Sequence, residues 1–122
     1  MADARTKKTW SRLHAFALSL PGAWEDHPWD EVVVKVPNKK IFVFLGRPDS
    51  DGDLGMSVKL TESHDHALST PGAVPTGYGL GKAGWVSVKV KGTAADVLED
   101  WVEESYRNVA TKTLIKELDA RT

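Results

Sequence analysis

Two segments of strict alternation limit what this chain can fold into. In Leu54–Leu60, the side chains of Leu54, Met56, Val58 and Leu60 fall on one side, and Gly55, Ser57 and Lys59 on the other. In Trp85–Lys91, Val86, Val88 and Val90 alternate with Ser87, Lys89 and Lys91. Successive side chains of a strand point to opposite faces, so a period of two marks a half-buried strand. Antiparallel sheets are the ones that tolerate one face left uncovered.

The segments around these strands say what covers the other face. Trp10, Leu13, Phe16, Ala17 and Leu20 recur at helical spacing within an amphipathic helix over 4–19, which Pro21-Gly22 ends. A loop with two tryptophans, Trp24 and Trp29, leads to a β-branched strand, Glu31–Val36. The turn signal Pro37-Asn38 and a return strand, Lys40–Gly46, complete a hairpin. Arg47–Asp53 reads as an exposed loop, and a short helix runs from Thr61 through His66 and Leu68. Thr70–Gly84 holds two prolines and five glycines and reads as a long loop, a feature often tied to function. Thr93, with Asp96 three places on, reads as a capping box that opens a helix to about Asn108, with Val97, Trp101, Val102 and Tyr106 inward. A last helix, Ala110–Asp119, buries Leu114, Ile115 and Leu118. The order predicts one α+β domain over 1–122, an antiparallel β-sheet with the N- and C-terminal helices packed on one face.

Composition narrows the class of function. With 41% hydrophobic and 27% charged residues in 122, the chain can bury a core without staples. It has no cysteine, which excludes disulfides and thiolate chemistry. The start of the chain, Met1–Trp10, is polar, and no apolar run approaches the roughly 20 residues of a membrane span. A cytoplasmic monomer without membrane association is the expectation.

The net charge of −1 argues against a strongly electrostatic nucleic-acid binder, but its distribution is uneven. If the alternating valines face the helices, the opposite face carries Val33, Lys35, Ser57, Lys59, Ser87, Lys89 and Lys91, with Lys39 and Lys40 at the hairpin tip. That set reads as small, polar and basic, suited to phosphate contacts. Lysines on an exposed strand also keep a sheet soluble and discourage edge pairing, which is the structural alternative.

Catalytic and cofactor motifs fail on context. Gly79-Leu80-Gly81-Lys82-Ala83-Gly84 has the spacing of a dinucleotide fingerprint, but a loop precedes it and a strand follows, where the fingerprint needs strand then helix. Its glycines and Lys82 leave an anion-binding turn as a reading. His64 and His66 lie two apart on a helix and point about 200° from each other, a poor start for a metal site. Asp26-His27 resembles an acid–base pair, yet adjacent residues rarely converge on a substrate. The acids Asp96, Glu99, Asp100, Glu103 and Glu104 read as dipole partners and solvating charge. No enzyme activity, cofactor or metal is expected.

Several segments together resemble the YjbR/MmcQ family of small bacterial proteins. They are Leu20-Pro21-Gly22, Val34-Lys35-Val36 before Lys39–Leu45, Met56-Ser57-Val58-Lys59, Gly77-Tyr78-Gly79-Leu80-Gly81-Lys82 before Trp85, and Glu104-Ser105-Tyr106 followed by Lys112. The resemblance spans roughly 15–115. It implies a frataxin-like (CyaY-like) fold and, by likeness to the double-wing domain of a phage transcription factor, DNA binding. The family loop has Asn before its Lys and His after its Tyr and before its Trp, where this chain has Gly81, Gly79 and Gly84. The residues that would carry DNA binding are therefore Lys35, Lys39, Lys40, Lys59, Lys82, Lys89, Lys91, Tyr78 and Trp85, through largely sequence-independent phosphate contacts. The alternative is a non-catalytic domain that binds a protein or small anion through the Gly72–Gly84 loop.

Overall fold

The computed structural model describes residues 3–47 and 54–121. Positions 48–53 of the Arg47–Asp53 loop lie outside the described residues. Helix α1 (Ala4–Ser19) begins where the side chain of Asp3 accepts the Thr6 amide at 2.8 Å. Strands β1 (Trp24–Asp26), β2 (Val32–Lys35), β3 (Ile41–Gly46) and β4 (Gly55–Lys59) follow, then α2 (His64–Leu68), β5 (Val74–Pro75) and β6 (Trp85–Lys89). Helices α3 (Ala95–Val109) and α4 (Lys112–Asp119) close the chain. The six strands form one antiparallel sheet in the order β1-β2-β3-β4-β6-β5.

The structure therefore has the α+β class and antiparallel sheet that alternation predicts, with two additions. Both short edge strands, β1 and β5, come from segments that read as loops. β5 holds Pro75, which an edge strand tolerates because its missing amide owes nothing to a ladder. Helix α3 starts at Ala95 with Ala94 at its cap, so Thr93 stands one position outside and the expected capping box does not form.

The core lies between the sheet and the helices. Leu13, Ala17, Val34, Val43, Val58, Val86, Leu98 and Val102 are wholly buried there. Ser105, also wholly buried, accepts the Lys59 amide at 2.8 Å and donates to the Phe42 carbonyl at 2.5 Å, pinning α3 to β3 and β4. Tyr106 donates to the Pro21 carbonyl at 2.6 Å and meets Phe42 edge to face.

Strand β3 does something that alternation alone does not show. Val34 faces Val43 and Lys35 faces Ile41, so the pairing skips Phe42; Val32 faces Gly46 and Val33 faces Phe44, so it also skips Leu45. Bulges of this kind re-aim side chains. Phe42, Val43 and Leu45 join the helix-side core, and Ile41 and Phe44 turn to the opposite face.

A candidate nucleic-acid interface on the helix-free face

The helix-free face is not the small, polar and basic surface that the alternation of Lys and Ser suggests. Its middle is apolar. Val33 is wholly buried there opposite Phe44, and the rings of Phe44 and Trp85 pack edge to face with 5.3 Å between centroids. Strand β3 supplies Ile41 and Phe44 through its bulges, and the segment after β5 folds back over the sheet. The Thr76 amide donates to the Trp85 carbonyl at 3.1 Å. Trp85, one of the residues that the resemblance implies for DNA binding, is buried beneath that segment.

Between these parts runs a groove of about 700 Å³, whose walls include Trp29, Ile41, Phe44, Tyr78 and Leu80. It continues into a cleft of about 330 Å³ towards Gly72 and Lys89. Three hydroxyls form a chain beneath it: Thr76 Oγ1 lies 2.9 Å from Ser87 Oγ, which lies 2.7 Å from Ser57 Oγ. The acid Glu31 lines both spaces, and among the described residues no hydrogen bond or ion pair engages its carboxylate.

Two aromatics stand at the mouth. Trp29 is 80% exposed and Tyr78 fully exposed. They reach the groove from opposite edges of the sheet, one before β2 and the other after β5. Both hold left-handed backbone, with φ of 54° and 59°. For a non-glycine residue this costs roughly 1–2 kcal/mol and persists where the surroundings enforce it. Arg47 helps to enforce it at Trp29, whose carbonyl accepts Nη2 at 3.0 Å. At the far end of the Tyr78 segment Gly84 takes φ +97°, and a Cβ there would meet the Leu60 carbonyl oxygen at 2.9 Å. Glycine at position 84 fits both the positive φ and this close approach.

The seven predicted lysines divide into three groups. Lys40, Lys59, Lys82 and Lys89 make no ion pair among the described residues; Lys89 lines the smaller cleft, and the other three are placed by their neighbours in the chain or across the sheet. Lys40 precedes Ile41, Lys59 lies opposite Trp85, and Lys82 follows Leu80 in the turn Leu80–Ala83. The stem of Lys89 lies against Gly72, where a Cβ would approach Lys89 Cγ to 2.9 Å. Lys39 is exposed at the hairpin tip, at φ 62°. The other two predicted lysines are engaged elsewhere. Lys35 lies 2.7 Å from Asp26 Oδ2 and 5.3 Å from the Trp24 ring centroid. Lys91 lies past the end of β6, 3.9 Å from Asp3 at the start of α1, and so leaves the face.

Several other polar groups have structural partners. Glu25 stands between two histidines, bonded to His14 through Oε1 and 2.5 Å from His27 Nε2 through Oε2. Burial works to raise the Glu25 carboxyl, but the bonds to His14 and His27 outweigh it and hold the group below the usual carboxylate range. The bond from Lys35, with the His27 amide, likewise lowers Asp26. On α3, Glu99 takes Arg12 in a two-pronged pair at 2.7 and 3.1 Å. Glu104 accepts from the Thr61 amide, the Ser63 amide and the Ser63 hydroxyl, and so builds the turn into α2. Part of the acidic helix is therefore structural, beyond the solvating role read from sequence. Among the described residues no group of three His, Asp or Glu side chains could hold a metal ion, and no helix is long and apolar enough to cross a membrane.

Sequence reasoning missed Trp29, Glu31, Ile41 and Phe44 as parts of this face. One signal was present: Ile41–Leu45 is an unbroken apolar run, the mark of a strand covered on both sides. The YjbR family model matches residues 18–108, well over half of the chain. The chain belongs to the YjbR family. The Deinococcus radiodurans protein DR2400, described by its DUF419 domain, has a similar structure at TM-score 0.68 and 27% identity, over 89% of this chain and 86% of that one. A Pseudomonas syringae protein matches at TM-score 0.64 and 20% identity, over 82% of this chain and 97% of that one, and shows the shared fold alone. No curated protein matches. The groove thus sits on a YjbR fold, bounded on one side by the Gly77–Lys82 segment that carried the resemblance.

Proposed function

We propose that this YjbR-family protein is a non-catalytic DNA-binding module whose helix-free sheet face takes a single or unstacked strand. One observation carries the reading: exposed Trp29 and Tyr78 open onto an apolar groove, and Lys89, which makes no ion pair among the described residues, lines the cleft that adjoins it. Bases stack on aromatic faces whatever their sequence, and lysines hold the phosphates, which is the usual division in single-strand binding. Paired bases inside a duplex offer no free faces to such a groove, so the strand must be open or distorted there. The four lysines supply affinity without sequence preference.

The test is titration of labelled single strands and duplexes at several salt concentrations. Contacts from four lysines give a log–log salt slope of about −3 for a single strand. Lys59→Glu with Lys89→Glu is expected to abolish most binding and flatten the slope by about half. An affinity that ignores both salt and the double substitution would refute the reading.

A second reading has one observation in its favour. The groove wall is mainly apolar and aromatic, which also suits an aromatic or apolar side chain of a partner protein. Binding of a partner peptide that is insensitive to salt and to the lysine substitutions would favour it. A small anion has less support. The Leu80, Gly81 and Gly84 amides donate to carbonyls of the loop itself, and Glu31 faces the groove.

A further inference from the structure

We infer that the groove receives one unstacked guanine base, read by the carboxylate of Glu31; the inference rests on the nucleic-acid reading and gives it a base preference. Glu31 is the one charged side chain among the groove's lining residues, and it has no partner among the described residues. A carboxylate in an aromatic-walled groove repels a second anion and favours a flat ligand that presents hydrogen-bond donors.

The four bases differ on this point. An ionised carboxylate only accepts, and it has two oxygens to satisfy. The exposed pairing edge of guanine carries two adjacent donors, N1–H and the 2-amino group, which match the two oxygens in a charge-assisted pair. Adenine and cytosine each present an amino donor beside a bare ring nitrogen, whose lone pair faces the second oxygen. Thymine presents one N–H flanked by two carbonyls. Single-stranded bases are read on this edge because no partner base occupies it. Trp29 and Tyr78 supply stacking surfaces, and the Ser57 and Thr76 hydroxyls on the floor can turn to donate or accept.

The same edge occurs on a free guanine nucleotide, so the test has two arms. In the first, a labelled ten-residue thymidine strand is compared with strands carrying one central guanine, adenine or cytosine. The guanine strand is expected to bind about tenfold tighter than the others. Glu31→Gln, which offers one acceptor and one amide donor, is expected to erase that preference by weakening the guanine strand to the level of the others. Trp29→Ala weakens all four strands. In the second arm, GMP and AMP are titrated against tryptophan fluorescence, with Trp29→Phe to identify the reporter.

Equal affinity for all four strands, still dependent on Lys59 and Lys89, overturns the guanine site and leaves the DNA-binding reading standing. GMP binding that needs Glu31, with no strand bound, supports the guanine site and overturns the DNA-binding reading. A guanine preference that survives Glu31→Gln overturns the role of Glu31. Absence of binding in both arms overturns both.

Discussion

The rings of Phe44 and Trp85 meet edge to face, 5.3 Å between centroids, on the side of the sheet that carries no α-helix among the described residues. With Val33 they make a second apolar layer, so the sheet is packed on both sides near its middle. Truncating a buried tryptophan costs about 3 kcal/mol, through lost burial and the cavity left behind. Trp85→Ala is therefore expected to lower the urea midpoint by that equivalent. A surface tryptophan would change it by less than about 0.5 kcal/mol, and that result would contradict a two-sided packing.

Ser105 predicts a second, sharper difference. Its hydroxyl serves the Lys59 amide and the Phe42 carbonyl inside the core, and Ser105→Ala leaves both unpaired. Two orphaned buried groups cost about 2 kcal/mol after relaxation. Ser57→Ala, which removes a hydroxyl contact with Ser87 on the more open face, is expected to cost less than about 0.5 kcal/mol because water reaches that site. Equilibrium unfolding of the two variants side by side measures the contrast.

Acid should loosen the β1 end of the sheet. Glu25 and Asp26 both titrate below their ordinary values, the first through His14 and His27 against burial, the second through Lys35 and the His27 amide. A depressed folded value means that the carboxylate contributes stability above its unfolded value, near about 4. That contribution is lost as pH falls through the lower folded value. Stability is expected to drop as pH falls below about 4, and Glu25→Gln should lose less there than wild type. An identical acid loss in both proteins would remove Glu25 from the account.

The fold was largely legible. Helix α1 spans the residues that its apolar stripe marks, and the alternation in Leu54–Leu60 and Trp85–Lys91 gave two central strands and their buried side. What was not legible depends on neighbours. Strands of two or three residues, such as β1 and β5, carry no period of their own and form only against β2 and β6. The bulges at Phe42 and Leu45 break the alternation that sequence reading relies on, and they put Ile41 and Phe44 on the face that was read as polar. Lys35 and Lys91 had the right spacing for that face, but local partners, Asp26 and Asp3, decide where their charges go. The apolar groove and Glu31 needed the chain to fold back from Val74 to Leu80, which no local pattern announces.

The central claim is that nucleic acid meets the helix-free face. The chain has a rival basic surface: Arg5, Lys7 and Lys8 are exposed on α1, on the other side of the molecule. Amide chemical-shift mapping during titration with a single-stranded oligonucleotide separates the two. Shifts are expected at Trp29, Glu31, Phe44, Ser57, Tyr78 and Lys89, with α1 and α3 unmoved. Shifts confined to α1 around Arg5–Lys8, with the groove residues unmoved, would contradict it.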